Sequence, residues 1–173
     1  MLNTQQDRLM ADIDQMVAAH GSTRSGLIPI LQDVQQRYHA ISDFAMQVIA
    51  DRLGIHPVEV YSVVTFYSFL SDRYQGRFVI RLCRTISCAM AGTTAVAQQL
   101  RNDLGINFGQ TTEDGRFTLE WANCIGMCDQ APAMLINDQV FTAVSPEAVH
   151  DILASCAKAF GPHTTQPVEE SHA

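Results

Sequence analysis

From Leu9 to about residue 70, apolar residues return every three or four positions. Leu9, Ile13, Met16 and Val17 share one helical face, and after a break at Gly21-Ser22 and Gly26 so do Leu27, Ile30, Leu31, Val34 and Tyr38. Ser42 and Asp43 carry the short oxygen-bearing side chains that accept from free N–H groups at a helix start. A third helix is therefore predicted through Phe44, Val48, Ile49 and Leu53, closed by Gly54. Pro57 suits a first turn, where its missing N–H is harmless, and opens a fourth helix through Val60, Tyr61 and Val64 to about Leu70. Tyr61, Phe66, Tyr67 and Phe69 are dense for one helix. Core packing is expected to take most of them, and any left exposed would mark a docking surface.

From Arg77 the period changes. Phe78-Val79-Ile80-Arg81-Leu82 reads as a strand, and Thr93 to about Leu104 as a helix with Val96, Leu100 and Leu104 on one face. Phe117-Thr118-Leu119-Glu120-Trp121 alternates as a strand does. Met134-Leu135-Ile136 is another, with Asn137-Asp138 turning the chain into Val140-Phe141. Asp114-Gly115 reads as a turn, and Ser145-Pro146-Glu147 opens a last helix through Val149, Ile152 and Leu153. The order β–α–β–β–β–α predicts a small α/β layer of the thioredoxin kind behind an N-terminal helical bundle. The expected division is a bundle over 1–75, an α/β domain over 76–158 and a flexible tail over 159–173.

Composition narrows the function classes. Of the 173 residues, 47% are hydrophobic and 17% charged, as in a globular protein. The net charge of −7 argues against nucleic acid and anionic membrane surfaces, which select Lys- and Arg-rich faces. The polar start lacks the order of a signal peptide, and no apolar run reaches the roughly 18 residues of a membrane span. A cytoplasmic setting follows as an expectation, without direct membrane insertion. There, thiols stay reduced, and the five cysteines read as metal ligands or redox groups before disulfides.

Four of the cysteines form two pairs. Cys83 and Cys88 are spaced C-x4-C; after 35 intervening residues Cys124 and Cys128 are spaced C-x3-C. Four thiolates are the usual complement of a 2Fe–2S cluster, in which each iron takes two protein ligands. Each pair is expected in a loop directly after a strand. If those strands are neighbours, both loops leave the same end of the sheet and face one another. Gly126 would let the second loop turn tightly. Ile125, Met127, Ala89 and Met90 would supply an apolar shell, and backbone N–H groups could donate to cluster sulfurs. Three other readings stand beside this one, of which the simplest, that the cysteines are merely buried small hydrophobes, is disfavoured by two paired loops after strands. Structural zinc also uses four cysteines but favours C-x2-C, and thioredoxin-type dithiol chemistry uses C-x-x-C, which the chain lacks. No histidine lies near a cysteine in sequence, which disfavours a Rieske centre. Cys156, alone in the last helix, reads as core packing.

These residues resemble the small 2Fe–2S subunit of the NADH-oxidising module of respiratory complex I, often called the 24-kDa subunit. Relatives of that subunit occur in NAD-linked and electron-bifurcating hydrogenases and in NAD-dependent formate dehydrogenases. The resemblance runs over about residues 20–158. It is carried by Cys83-Arg84-Thr85-Ile86-Ser87-Cys88, by Gly109 to Leu119, and by Cys124-Ile125-Gly126-Met127-Cys128-Asp129-Gln130-Ala131-Pro132-Ala133-Met134. The helical half matches more loosely, through Leu53-Gly54-Ile55 and Val64-Thr65-Phe66-Tyr67. It implies a thioredoxin-like ferredoxin domain holding one 2Fe–2S cluster on Cys83, Cys88, Cys124 and Cys128. It also implies a hetero-oligomer in which a larger iron–sulfur subunit binds FMN and NADH. No G-x-G-x-x-G occurs in the chain, in keeping with nucleotide binding on that partner. The chain would then be a non-catalytic electron carrier, with a zinc-stabilised assembly module and a free-standing ferredoxin as alternatives. Pro132 sits where thioredoxin-like folds often place a cis bond, a trans turn being at least as expected. Arg81 and Arg84 flank Cys83 and are expected to be solvated rather than to offset cluster charge.

Overall fold

The computed structural model describes residues 4–159, so the segment after Phe160 expected as a tail lies outside the described residues. The chain packs as two compact units that divide between Tyr74 and Gln75. No helix among the described residues is long and apolar enough to cross a membrane.

The first unit holds α1 (Thr4–His20), a 3-10 turn (Arg24–Gly26), α2 (Leu27–Tyr38), α3 (Asp43–Leu53) and α4 (Pro57–Phe66). Their apolar stripes meet in one core, where Ile13, Ile30, Leu31, Val34, Ile41, Ile49 and Val60 are fully buried. Ser42 caps α3 as expected, its Oγ accepting from the Ala45 N–H at 3.2 Å. His56 caps α4, its Nδ1 accepting from the Val58 N–H at 3.3 Å.

Helix α4 stops at Phe66, short of the expected Leu70. Tyr67 turns to an extended conformation, and the Leu70 N–H then bonds the Tyr67 carbonyl at 3.0 Å. The turn brings Leu70 into the bundle core, and the Ile41 N–H bonds the Ser71 carbonyl at 2.8 Å. Burial of Leu70 and these hydrogen bonds outweigh one more turn of helix. The expectation that core packing absorbs most of the aromatics is also corrected. Tyr61, Phe66 and Phe69 are exposed, and Tyr67 alone of the four packs against the core.

Tyr38 ties α2 to α1. Its hydroxyl donates to Asp12, whose other oxygen lies 3.1 Å from Arg37. Burial, then the hydrogen bond to Asp12 and the charge of that carboxylate, push the phenol up to about 12. A raised phenol pKa means that ionisation opposes folding. The contribution is complete below pH 10, the ordinary tyrosine value, and is lost as pH climbs toward 12. Tyr38→Phe is expected to destabilise the chain by about 1 kcal/mol at neutral pH. Urea denaturation at stepped pH should show the gap between the two proteins closing between 10 and 12.

The second unit is a five-stranded sheet ordered β2 (Gln110–Thr111), β3 (Phe117–Ala122), β1 (Phe78–Cys83), β4 (Met134–Ile136), β5 (Gln139–Phe141). β1 and β3 run parallel and all other pairs antiparallel. A parallel pair needs a long crossover. It is supplied by α5 (Ile86–Met90) and α6 (Thr93–Leu104), and α7 (Pro146–Ala159) closes the unit. Phe78, Ile80, Leu82, Phe117, Leu119, Met134 and Ile136 pack on Val96 and Leu100 of α6 and on Val149 and Leu153 of α7. Two elements, β2 and α5, add to the expected order. The second unit is a mixed α/β layer that follows the N-terminal helices in the chain, as the element order predicts.

Arg81, expected to be solvated, is largely covered and ion-paired instead. It faces Glu120 across the β1–β3 register and pairs with it at 3.1 Å, while Gln75 donates to the other carboxylate oxygen at 2.8 Å. Arg84 is exposed, as expected.

Candidate metal centre

Parallel pairing puts Leu82 beside Trp121 and Cys83 beside Ala122, so β1 and β3 end together. The chain leaving β1 carries Cys88, and the chain leaving β3 carries Cys124 and Cys128. The two segments are stitched: the Arg84 N–H bonds the Ala122 carbonyl at 3.0 Å, and the Cys83 N–H bonds the Ala133 carbonyl at 3.1 Å.

The first pair is not in a plain loop. Cys83 is the last residue of β1, and Cys88 lies in α5, which returns it toward Cys83. Extended Thr85 starts that helix, with the Ala89 N–H on the Thr85 carbonyl at 2.8 Å. Cys128 begins a 3-10 turn, and Gly126, at a φ of +86°, supplies the left-handed step between the second pair. The Ala131–Pro132 bond is cis, against an expectation that placed trans at least level with it.

The four thiols form two pairs, one at the end of β1 and one after β3. Cys124 Sγ and Cys128 Sγ are 3.6 Å apart, and Cys83 and Cys88 pack in one buried cluster with Ala133. Among the described residues no three His, Cys, Asp or Glu side chains converge as ligands of one ion. Cys83 and Cys88 are each 1% exposed, whereas Cys124 and Cys128 face solvent. Ala133 and the partly buried Ile125, Met127 and Ala131 pack around the inner pair. Ala89 and Met90, expected in that shell, point to solvent instead, because α5 turns its other face inward.

Electrostatics divide the thiols. Burial raises Cys83, but hydrogen bonds from the Thr85 hydroxyl and N–H, from Cys88 and from the Ile125 N–H outweigh it and lower the group. Cys88 is raised, by burial first and then by the thiol and charge of Cys83 and the charge of Cys128, against one N–H from Ala133. The hydrogen bond and charge of Cys124 raise Cys128, with the Ser87 hydroxyl opposing. Thiols this close cannot all ionise without a cation among them. The donor set and the N–H groups aimed at sulfur fit a group that takes two thiolates at each of two irons.

Cys156 is half-buried against the α/β core, and burial raises its thiol. The hydroxyls of Thr85 and Ser87 and the Asn123 carbonyl, 3.0 Å from Cys83 Sγ, are contacts that cysteine spacing does not reveal. Their one signal is position, two between C-x4-C and one directly before Cys124.

A family model for the thioredoxin-like [2Fe-2S] ferredoxin matches residues 13–157. The chain is 36% identical over 143 residues to an NADH-quinone oxidoreductase subunit of Pseudomonas aeruginosa, covering 83% of this chain and 86% of that protein. It is 35% identical over 150 residues to the alpha subunit of the NAD-reducing hydrogenase HoxS of Cupriavidus necator. That match covers 87% of this chain but spans 25% of the hydrogenase subunit. A crystal structure of air-oxidized NAD+-reducing [NiFe]-hydrogenase superposes with a TM-score of 0.65 at 25% identity, over 79% of this chain and 24% of that one.

Proposed function

The chain belongs to the thioredoxin-like 2Fe–2S ferredoxin family, and from that premise we propose that it is the electron-transfer subunit of a heteromeric NAD(H)-linked oxidoreductase, with Cys83, Cys88, Cys124 and Cys128 as its cluster ligands. The observation that supports the proposal is that both cysteine pairs follow the shared end of parallel strands β1 and β3. When bound, a 2Fe–2S cluster supplies a single one-electron couple.

The chain's own part is positioning. Cys83 and Cys88 anchor the buried side, and the N–H groups of Thr85, Ile125 and Ala133 hold their sulfurs. Cys124 and Cys128 lie on the open side, the side from which electrons are exchanged with a partner. No acid, base or nucleophile is required of the chain. Assembly with other chains is supported by relatives that are themselves subunits of oxidoreductases. The partner is a larger subunit that carries the flavin and the NADH site. It docks through the helical unit, whose Val58, Tyr61, Phe66 and Phe69 stand exposed. The parent enzyme is of the quinone-reductase, hydrogenase or formate-dehydrogenase kind, in a cytoplasmic setting.

Anaerobically purified protein should contain about two irons and two sulfides per chain and give an EPR signal on reduction. About one zinc and no colour would overturn the proposal in favour of a structural module. Native purification should recover the chain in a larger flavin-containing complex; recovery alone would instead fit a free-standing ferredoxin.

A further inference from the structure

Thr85 lies two residues beyond Cys83 and is half-buried, with Oγ1 3.1 Å from Cys83 Sγ. Cys83 Sγ also lies 3.0 Å from the Asn123 carbonyl, a contact in which only the thiol can donate. With the thiol proton so committed, the Thr85 hydroxyl is the donor in the other contact. As a metal-bound thiolate, Cys83 has no proton for Asn123 and keeps the bond from Thr85. At 1% exposure the sulfur has almost no water to replace a lost donor. Ser87 stands in a different position. Its hydroxyl reaches Cys128, a solvent-facing sulfur that water can serve as well.

We propose that Thr85 sets the reduction potential of this chain's cluster by donating a hydrogen bond to the sulfur of Cys83. The inference rests on the reading of the four cysteines as ligands. Reduction adds one electron with no bond made or broken and no proton moved, and part of the added negative charge falls on the cysteine sulfurs. A hydroxyl donor favours the more negative state, because hydrogen bonds strengthen with charge on the acceptor. Thr85 is thus a positioning residue that acts through Cys83, and its loss makes the cluster harder to reduce.

The experiment is an EPR-monitored titration of the full-length, cluster-loaded chain with dithionite, at matched iron and sulfide content. Thr85→Val keeps the shape and removes the hydroxyl; its midpoint should fall by up to about 59 mV, a tenfold change for a one-electron couple. Thr85→Ser keeps the donor and should titrate with the wild type, and Ser87→Ala should move the midpoint less than Thr85→Val. Resonance Raman supplies a second readout: a shift of iron–cysteine stretching in D2O, reduced in Thr85→Val, where only the N–H donors remain, and kept at full size in Thr85→Ser. A valine variant with a full cluster and the wild-type midpoint overturns the proposal, as does a larger shift from Ser87→Ala. If the valine variant takes up no cluster, Thr85→Ala is judged by the same midpoint criterion. A wild-type chain without iron and sulfide removes the ligand reading itself, a failure visible before any variant is titrated.

Discussion

Cys88→Ala is expected to leave a folded chain that has lost essentially all of its iron and sulfide. Cys88 is 1% exposed and packs with Cys83 and Ala133, so no water or alternative side chain has room to take its place on a metal. Removing groups merely hydrogen-bonded to a ligand costs metal affinity about 10–100-fold, and removing a ligand itself exceeds that. The fold should survive, because Cys88 sits outside the sheet core built on Ile80, Leu82, Leu119 and Leu100. Circular dichroism should therefore stay native in shape while the visible absorption disappears. Cys156→Ala is the matched control, since that thiol packs against the α/β core and should be dispensable for iron. Iron and sulfide assays on the two variants decide the matter. Retention of two irons by Cys88→Ala, or their loss from Cys156→Ala, would show that the ligand set has been misassigned.

The contrast between the inner and outer pairs extends the expectation. Cys124 and Cys128 face solvent, so serine or water can stand in at either position more readily than at Cys88. Cys128→Ser should keep a fraction of its cluster that Cys88→Ser does not.

The period of the sequence makes the helices and long strands legible, because each has a buried face repeating at 3.6 or 2.0 residues. What escapes it has physical causes. β2 is two residues long and paired only to β3, too short to show alternation. α5 is five residues long and holds only Cys88 buried, so it has no apolar face to recognise. Helix α4 carries helical periodicity into Phe66 and ends there because Leu70 gains more by folding back into the bundle. Arg81 defeats a reading from local sequence because a charge in a strand can be neutralised only by a neighbour in register, and the Glu120 partner lies 39 residues away. At the metal centre, cysteine spacing points to the four thiols and the strand pattern to their common end. The donors from Thr85 and Ala133 are not legible, since they depend on where the backbone passes.

Gly76→Ala is expected to weaken the α/β unit by about 2–3 kcal/mol, one of the largest effects of a single methyl in this chain. A Cβ at position 76 would lie 2.9 Å from the Phe117 N and from the carbonyl carbons of Arg116 and Phe117, all backbone atoms that cannot swing aside. The close approach has a structural reason. The Gly76 N–H donates to the buried Thr118 Oγ1 at 2.6 Å, and the Arg77 and Phe78 N–H groups bond the Gly115 and Arg116 carbonyls at 3.1 and 2.7 Å. Those bonds start the parallel β1–β3 pair, whose far end positions the cysteines. A methyl must therefore part the strands where their pairing begins. Overpacking against fixed atoms accounts for most of the loss, and stretching the buried hydrogen bond for the rest. Thr118→Val bounds the second contribution from above: without any clash it removes this hydrogen bond together with the 2.8 Å contact to the Thr111 hydroxyl, and should cost about 1–2 kcal/mol. In thermal melts of chains matched for iron, Gly76→Ala should fall about 5–10 °C below wild type, with Thr118→Val between them. Because the strain enters at the end of β1 opposite Cys83, the EPR spectrum of the folded variant should remain that of wild type. A wild-type melting point for Gly76→Ala would mean that β1 and β3 can separate at this end freely, and that the cysteine loops are held in place by their own hydrogen bonds.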